Sequence, residues 1–222
     1  MLKKTKYSIE SQHVNQALHN LPNIDFKLAI NEPSGNFFYD PWNIKAEYKN
    51  TIWNTILQTL PEPIGEARII ILSHSRCYQA HADIDDRYHL NLSGTDSYLI
   101  DLEDNVLHKL VNDLSWYQMD AGRLHSAVNF GRDDRVQLVV RRLLNNIKLK
   151  DPKKIEITFQ NLTEDHARFL FDRNISPWLN RANKKMLISN FAHSRKAVTF
   201  DLEKCAISDL KEILPKDFKI TQ

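Results

Sequence analysis

Two side chains that could bind a metal ion stand two positions apart in the chain, at His81 and Asp83. An imidazole and a carboxylate at positions i and i+2 of a strand end or a turn can bind the same ion. A third ligand must then come from elsewhere, and His125, 44 residues further on, is the candidate. Two imidazoles and one carboxylate on one face of an octahedral ion leave three positions open, which suits Fe(II) oxygen chemistry.

An arginine extends this pattern. Arg135 stands ten residues after His125, across a turn that the sequence predicts at 131–134, so a hairpin would bring the two residues close together. Arg135 and Gln137 alternate with aliphatic residues, which predicts that the guanidinium points to the same interior as the metal. Burying an unpaired arginine is costly, and a dicarboxylate bound bidentately would supply its anionic partner.

The elements that must position these residues are short β-strands. Between residues 67 and 144, β-type runs separated by polar turns predict an antiparallel barrel or sandwich. The run at 87–92 alternates strictly, with Arg87 and His89 on one face and apolar side chains on the other. The core is therefore predicted to be mainly β.

Helices are expected before this β region. Apolar stripes at 14–21 and 52–60 predict two N-terminal helices, each ended by a proline. Between them, residues 25–30 predict a short strand and residues 31–41 a loop.

The C-terminal part has a different pattern. After a basic connector at 146–154, the order strand, helix, two strands, helix, strand is that of the split βαβ, ferredoxin-like unit, although a decorated α/β extension is equally compatible. The helical stretch, 163–182, is predicted to break near Pro177. We therefore expect two domains, at 1–147 and 148–222.

The charge distribution also divides the chain. Residues 1–140 hold 13 basic and 18 acidic side chains, a net −5, whereas residues 141–222 hold 17 and 10, a net +7. The basic residues of the second part are dispersed without interleaved aromatic side chains, so we expect a solvated surface there and not a nucleic-acid partner.

Composition excludes several classes of protein. The five glycines are never closer than nine positions, which removes the dinucleotide fingerprint and the P-loop. Two cysteines without a C-x-x-C pair exclude a thiolate zinc site and fit a reducing compartment. No apolar stretch approaches the ~20 residues that span a bilayer, and the basic start leads into no apolar signal region. We expect a cytoplasmic protein, and its richness in Lys, Asn and Ile suggests a bacterial or phage source.

Taken in order, these residues resemble the iron- and 2-oxoglutarate-dependent oxygenases of the aspartyl/asparaginyl β-hydroxylase family, which are related to the cis-proline hydroxylases. The resemblance runs through His-x-Asp at 81–83, Arg-x-His-Leu at 87–90, Asp-x4-His-x3-Asn-Phe at 120–130 and the arginine at 135. It covers this middle region well and the rest of the chain poorly. The animal members have glycine where this chain keeps Asp83, which brings it closer to the proline hydroxylase branch.

The resemblance implies a double-stranded β-helix of the jelly-roll or cupin-like type, with N-terminal helices and a small C-terminal α/β unit. It also implies hydroxylation of an amino acid, free or within a peptide or protein, with Fe(II) as metal, 2-oxoglutarate as cosubstrate, and O2, and with release of succinate and CO2. The implied iron ligands are His81, Asp83 and His125. Arg135 would hold the distal carboxylate of 2-oxoglutarate, and Arg87 and His89 would lie near its keto-acid end. Groups that could orient the ligands or the substrate are Asp85, Asp86, Asp120 and Asn129.

Two alternatives remain open at this point. The same residues could form a non-catalytic, cupin-like module that holds another divalent ion or a ligand. A nucleic-acid-modifying 2-oxoglutarate oxygenase would instead require strongly salt-dependent binding through the basic half. Neither the substrate nor the oligomeric state follows from the sequence.

Overall fold

The structure is a computed structural model that describes residues 1–61, 63–159, 162–194 and 197–221. It is mainly β, with several antiparallel sheets. The chain forms two compact units. The first comprises Met1–Gln79, Asp86–Asp120 and His125–Leu143, and the second comprises Ala80–Asp85, Ala121–Leu124 and Leu144–Gln222. Among the described residues, no helix is long and apolar enough to cross a membrane.

The first unit contains twelve strands. In chain order these are β1 (Leu2–Ser8), β2 (Lys27–Ala29), β3 (Asn31–Pro33), β4 (Trp42–Ile44), β5 (Ile64–Leu72), β6 (Arg76–Cys77), β7 (Arg87–Asn91), β8 (Ser97–Asp101), β9 (Val106–Lys109), β10 (Ser115–Met119), β11 (His125–Asn129) and β12 (Arg135–Arg142). A six-stranded sheet has the order β1-β10-β7-β12-β5-β2, and a four-stranded sheet has the order β6-β11-β8-β9. From β5 to β12, therefore, the chain passes repeatedly between two sheets, and within each sheet neighbouring strands are antiparallel.

The two faces of the six-stranded sheet differ in character. Leu138, Val140 and Leu90 share one face and are completely buried in a hydrophobic core. Arg135 and Gln137 occupy the other face, because side chains alternate along a strand. This arrangement agrees with the alternation seen in the sequence, in which aliphatic positions separate Arg135 from Gln137.

Two helices complete the hydrophobic core of the first unit. They are α1 (Ser11–His19) and α2 (Ile52–Leu57). Ala17, Trp53 and Ile56 are almost wholly buried and belong to the same cluster as Leu138. Both helices lie within the apolar stripes that predicted them, so the periodic pattern identified the faces that the core requires.

Two features of the N-terminal part were absent from the sequence-based expectation. Residues 2–8 form β1, which pairs with β10 at the edge of the six-stranded sheet. The expected loop at 31–41 contains β3, which pairs with β4 in a small hairpin. Both strands are short or exposed, and such strands carry little hydrophobic alternation that a sequence could reveal.

The described residues of the second unit form a four-stranded sheet and three α-helices. The elements are β13 (Pro152–Phe159), α3 (Glu164–Leu170), α4 (Ser176–Lys184), β14 (Ile188–His193), β15 (Ala197–Glu203), α5 (Ile207–Ile213) and β16 (Phe218–Thr221). The sheet order is β14-β15-β13-β16, and every neighbouring pair is antiparallel. Ile155, Phe200 and Leu202 are buried on one face of this sheet.

The helical stretch of this unit does not break at Pro177. Instead, Phe171–Ile175 forms a π-helical turn that joins α3 directly to α4, and Pro177 lies in the first turn of α4. The absence of an N–H on proline prevents the regular hydrogen-bond ladder from continuing, and the chain accommodates this just before the proline.

Candidate metal centre

His81, Asp83 and His125 come together in the structure. One ligand atom from each side chain lies within 4.8 Å of the other two. His125 is buried, whereas His81 and Asp83 are half-buried. Nitrogen and oxygen donors at these separations can bind one divalent cation, and the set of two imidazoles and one carboxylate leaves coordination positions for other ligands.

The backbone of the His81–Asp83 segment is fixed by two consecutive hydrogen bonds. The N–H of Ala82 donates to the carbonyl of Asp172 at 2.8 Å, and the N–H of Asp83 donates to the carbonyl of Ala121 at 2.7 Å. A segment outside any long strand is thereby held in one conformation, which a metal site requires of its ligands.

His125 is positioned by regular sheet structure. It is the first residue of β11 and pairs with Asp101 of β8. All five residues of β11 are buried, so the imidazole is held on a strand that is covered on both faces. The three candidate ligands therefore come from two different kinds of element, a short constrained segment and a buried strand.

Arg135 is 1% exposed, and it is among the largest fully buried side chains. Within the described part of the chain, its Nε and Nη1 atoms have no hydrogen-bond acceptor. Its guanidinium carbon lies 5.7 Å from the ring centroid of Tyr78. Burial lowers the pKa of Arg135 and raises the pKa of Tyr78, and in each case the interaction between the two side chains opposes part of the shift. A buried guanidinium with two free N–H donors is suited to a carboxylate.

Polar residues of β12 and β7 share the sheet face of Arg135. In the register of β12 and β7, Gln137 lies opposite Asn91, Val139 opposite His89 and Arg141 opposite Arg87. Arg87 and His89 are half-buried, and Asn91 and Gln137 are buried. The structure therefore places the predicted residues Arg87 and His89 on the same sheet face as Arg135.

The amide of Asn91 has a defined orientation. Asn112 donates from Nδ2 to the carbonyl of Gly94 at 3.1 Å, so its Oδ1 must accept, and Asn91 donates its own Nδ2 to that oxygen. In the described part of the chain this leaves Oδ1 of Asn91 buried and without a donor, beside a narrow cavity that Gln137 and His89 also line. The face around Arg135 thus offers both acceptors and donors.

Asn129, a candidate for orienting ligands or substrate, has a different role. Its Nδ2 donates to the carbonyls of Leu72 and Asp133 at 2.9 and 2.8 Å, and its Oδ1 accepts from the N–H of Gly131 at 3.0 Å. The amide of Asn129 therefore uses its hydrogen bonds to close the turn that precedes Arg135, and it does not orient an imidazole.

Arg141, near the end of β12, is buried against two aromatic rings. It is 6% exposed, and its guanidinium carbon lies 4.4 and 4.8 Å from the ring centroids of Phe37 and Phe38. The sequence shows two adjacent phenylalanines at 37 and 38 that could pack against a cation, but nothing in the sequence connects them to position 141.

Comparisons with known proteins give distant likenesses only. No protein-family model matches the chain, and no curated protein matches it. A prolyl-4-hydroxylase from Pseudomonas putida is similar over 65% of this chain and 93% of its own, with 15% identity and a TM-score of 0.37. CapF, a capsular polysaccharide assembling protein from Staphylococcus aureus, is similar over 45% of this chain, with 15% identity and a TM-score of 0.30. The match spans only 38% of the CapF chain.

Proposed function

We propose that this protein is a non-haem Fe(II)- and 2-oxoglutarate-dependent dioxygenase that hydroxylates an amino acid, free or within a peptide or protein. The observation that carries the proposal is the convergence of His81, Asp83 and His125 to within 4.8 Å, in a chain that also buries Arg135, whose Nε and Nη1 have no acceptor among the described residues. A metal-binding group alone would fit many functions. The buried cation makes an anionic cosubstrate necessary to complete the site.

We propose further that β5 to β12 form a double-stranded β-helix, with residues 1–147 as the oxygenase domain and 148–222 as a small α+β domain of ferredoxin-like type. The support is the strand order: the four-stranded order β10-β7-β12-β5 and the order β6-β11-β8-β9 together contain each of these eight strands once. A closed arrangement of this type keeps polar side chains inside and packs apolar ones outward, as the two faces of β12 do.

His81, Asp83 and His125 would hold the iron, and each has a distinct local support. When bound, Fe(II) and 2-oxoglutarate would supply oxygen activation, with succinate and CO2 as co-products. The side chains contribute fixed donor positions, and the burial of His125 limits access of water to one side of the site.

Arg135 would bind the distal carboxylate of 2-oxoglutarate through Nε and Nη1, in the bidentate geometry that guanidinium groups favour. Because this arginine is fixed by the turn that Asn129 closes, it would orient the cosubstrate and fix its depth. Arg87 and His89, four and two positions along the partner strand from Asn91, would contact the keto-acid end.

Recognition of nucleic acid by the second unit receives no support from its sheet. The half-exposed or exposed face of β13 and β15 presents Lys154, Glu156, Thr199 and Asp201, a set of mixed charge. In the described residues of these two strands this face carries no aromatic side chain on which a base could stack. We therefore propose an amino acid or a peptide, and not a nucleic acid, as substrate.

The proposal is tested by turnover. Purified protein is incubated with Fe(II) and 2-oxoglutarate, and succinate formation and O2 consumption are measured alone and with a panel of amino acids and peptides. We expect succinate release that requires both additions, that His81→Ala and Arg135→Ala abolish, and that His74→Ala, an exposed histidine outside the group, retains. Absence of both cosubstrate binding and iron-dependent turnover would overturn the proposal and leave a non-catalytic module.

A further inference from the structure

The π-helical turn at 171–175 exposes a carbonyl to a partner outside its own helix. The carbonyl of Asp172 accepts the N–H of Ala82 at 2.8 Å. Ala82 is 1% exposed and lies between the candidate ligands His81 and Asp83. Such turns are rare in proteins and occur frequently at functional sites, because the widened ladder frees backbone groups for other partners.

We propose that Asp172 is a positioning residue for the metal-binding segment at 81–83, and that the helices of the C-terminal region serve to hold this segment in its ligating conformation. The inference rests on the metal site of the proposed function and deepens it. It also gives the helices of the second unit a role in holding the segment that carries two of the candidate ligands.

The carboxylate of Asp172 supports the same role. The side chain is 27% exposed, and its Oδ2 lies 3.5 Å from Nε of Arg168. This ion pair joins α3 to the π-helical turn, whose carbonyl at Asp172 accepts the N–H of Ala82.

A second contact of the same helical region lies next to the other hydrogen bond of the segment. Asn180 of α4 is 2% exposed and packs so closely on Gly122 that a Cβ atom at position 122 would overlap its side chain. Gly122 follows Ala121, whose carbonyl accepts the N–H of Asp83. The π-helical turn therefore accepts one backbone hydrogen bond of the 81–83 segment, and α4 packs against the residue that follows the acceptor of the other.

The test measures metal binding and amide hydrogen exchange in the wild type and in variants of Asp172. The proteins are the wild type, Asp172→Ala, Asp172→Asn, Asp172→Glu and a charge-matched control, Asp217→Asn, at an exposed position of the same unit. Mn(II) is titrated calorimetrically, and amide hydrogen exchange of residues 80–85 is measured in the metal-free proteins. Far-ultraviolet circular dichroism and thermal unfolding establish that each variant is folded.

We expect Asp172→Ala to weaken Mn(II) binding by about 10- to 100-fold, the range found when groups that support metal ligands are removed. The substitution keeps the backbone carbonyl of residue 172 but removes the ion pair with Arg168, so the π-helical turn that holds Ala82 should loosen and exchange at 80–85 should become faster. Asp172→Glu should restore part of the affinity, and Asp217→Asn should match the wild type. Should Asp172→Ala fail to fold, the nearly isosteric Asp172→Asn carries the same comparison, with weaker Mn(II) binding expected from loss of the ion pair with Arg168.

Failure of this inference is distinguishable from failure of the proposed function. Wild-type protein that binds Mn(II) but releases no succinate contradicts the oxygenase and leaves the positioning role in place. Equal Mn(II) affinity and equal exchange in the wild type and Asp172→Ala overturn the positioning role, whatever the turnover. If the wild type binds no metal, exchange at 80–85 decides: faster exchange in Asp172→Ala supports positioning, and unchanged exchange overturns it.

Discussion

The guanidinium carbon of Arg135 lies 5.7 Å from the ring centroid of Tyr78, and Nε and Nη1 of the arginine have no acceptor among the described residues. Native proteins rarely bury a cation in this way without a use for it, because removal from water costs several kcal/mol. The guanidinium of Arg135 beside Tyr78 thus marks the position at which a bound anion would compensate the buried charge in the first unit.

Replacing Arg135 should change the affinity for 2-oxoglutarate and the stability of the fold in different directions. We expect Arg135→Met to reduce 2-oxoglutarate affinity by about 2–5 kcal/mol, the cost of removing one partner of a buried charged pair. The unfolding temperature should stay level or rise, because among the described residues the buried charge contacts the ring of Tyr78 and no carboxylate in the cosubstrate-free protein. Calorimetry with Mn(II) and 2-oxoglutarate measures the first, and thermal unfolding the second.

The matched control for this substitution is Arg132→Met, an exposed arginine of the adjoining turn. It should leave 2-oxoglutarate affinity unchanged. A loss of stability in Arg135→Met without any loss of cosubstrate affinity would contradict a role for Arg135 in binding.

Metal binding should stabilise the folded protein. A ligand that binds only the native state adds about 2.7 kcal/mol at a hundredfold excess over its dissociation constant. We expect Mn(II) to raise the unfolding temperature of the wild type, and His125→Ala to abolish this increase. His74→Ala, at an exposed position, should retain it. An equal increase in all three proteins would show that the ion binds elsewhere.

The hydroxyl of Tyr117 donates to Oδ2 of Asp113 at 2.8 Å, and Lys4 binds the same oxygen at 2.7 Å. Burial, together with the hydrogen bond and charge of Asp113, raises the pKa of Tyr117 to about 12. Because the folded state holds this proton more tightly than the unfolded state does, the stabilisation is present below pH ~10 and is lost as the pH rises toward about 12.

The stabilisation that comes from Asp113, the partner of Tyr117, depends on pH in the opposite direction. Burial alone would raise the pKa of Asp113, but the bonds from Lys4, Tyr117 and the N–H of Ser115 outweigh it and lower the pKa. Its contribution to stability is therefore present above pH ~4 and is lost as the pH falls through the lowered value. Tyrosinate absorbance of the wild type, less that of Tyr117→Phe, gives the midpoint. Asp113→Asn should shift this midpoint toward pH 10, and Asp25→Asn, at an exposed site, should not.

The aromatic pair beside Arg141 should contribute measurably to stability. Cation–π contacts at partly exposed sites are worth about 0.5–1 kcal/mol each. We expect a double-mutant cycle of Phe37→Ala and Arg141→Met, followed by urea unfolding, to give a coupling energy in this range. Phe130→Ala serves as the exposed aromatic control, and its effect should add to that of Arg141→Met. Zero coupling between Phe37 and Arg141 would contradict the packing.

The sequence by itself determined which residues could carry chemistry. The spacing His81-x-Asp83, the later His125 and the alternation around Arg135 are local patterns, and each follows from the period of a strand or the reach of a turn. The order of strands and helices in the C-terminal region was equally legible, because apolar residues repeat with the period of each element.

Only the tertiary structure decided which distant segments meet. The contact of Ala82 with Asp172 joins positions 90 residues apart, and the stacking of Phe37 on Arg141 spans more than 100. Neither contact produces a periodic pattern in the sequence. A single backbone hydrogen bond does not require a particular side chain at its donor, and an arginine at a strand end can equally face solvent. The pairing of β1 with β10 was hidden for the same reason, because an exposed edge strand is stabilised by its neighbour and not by its own pattern.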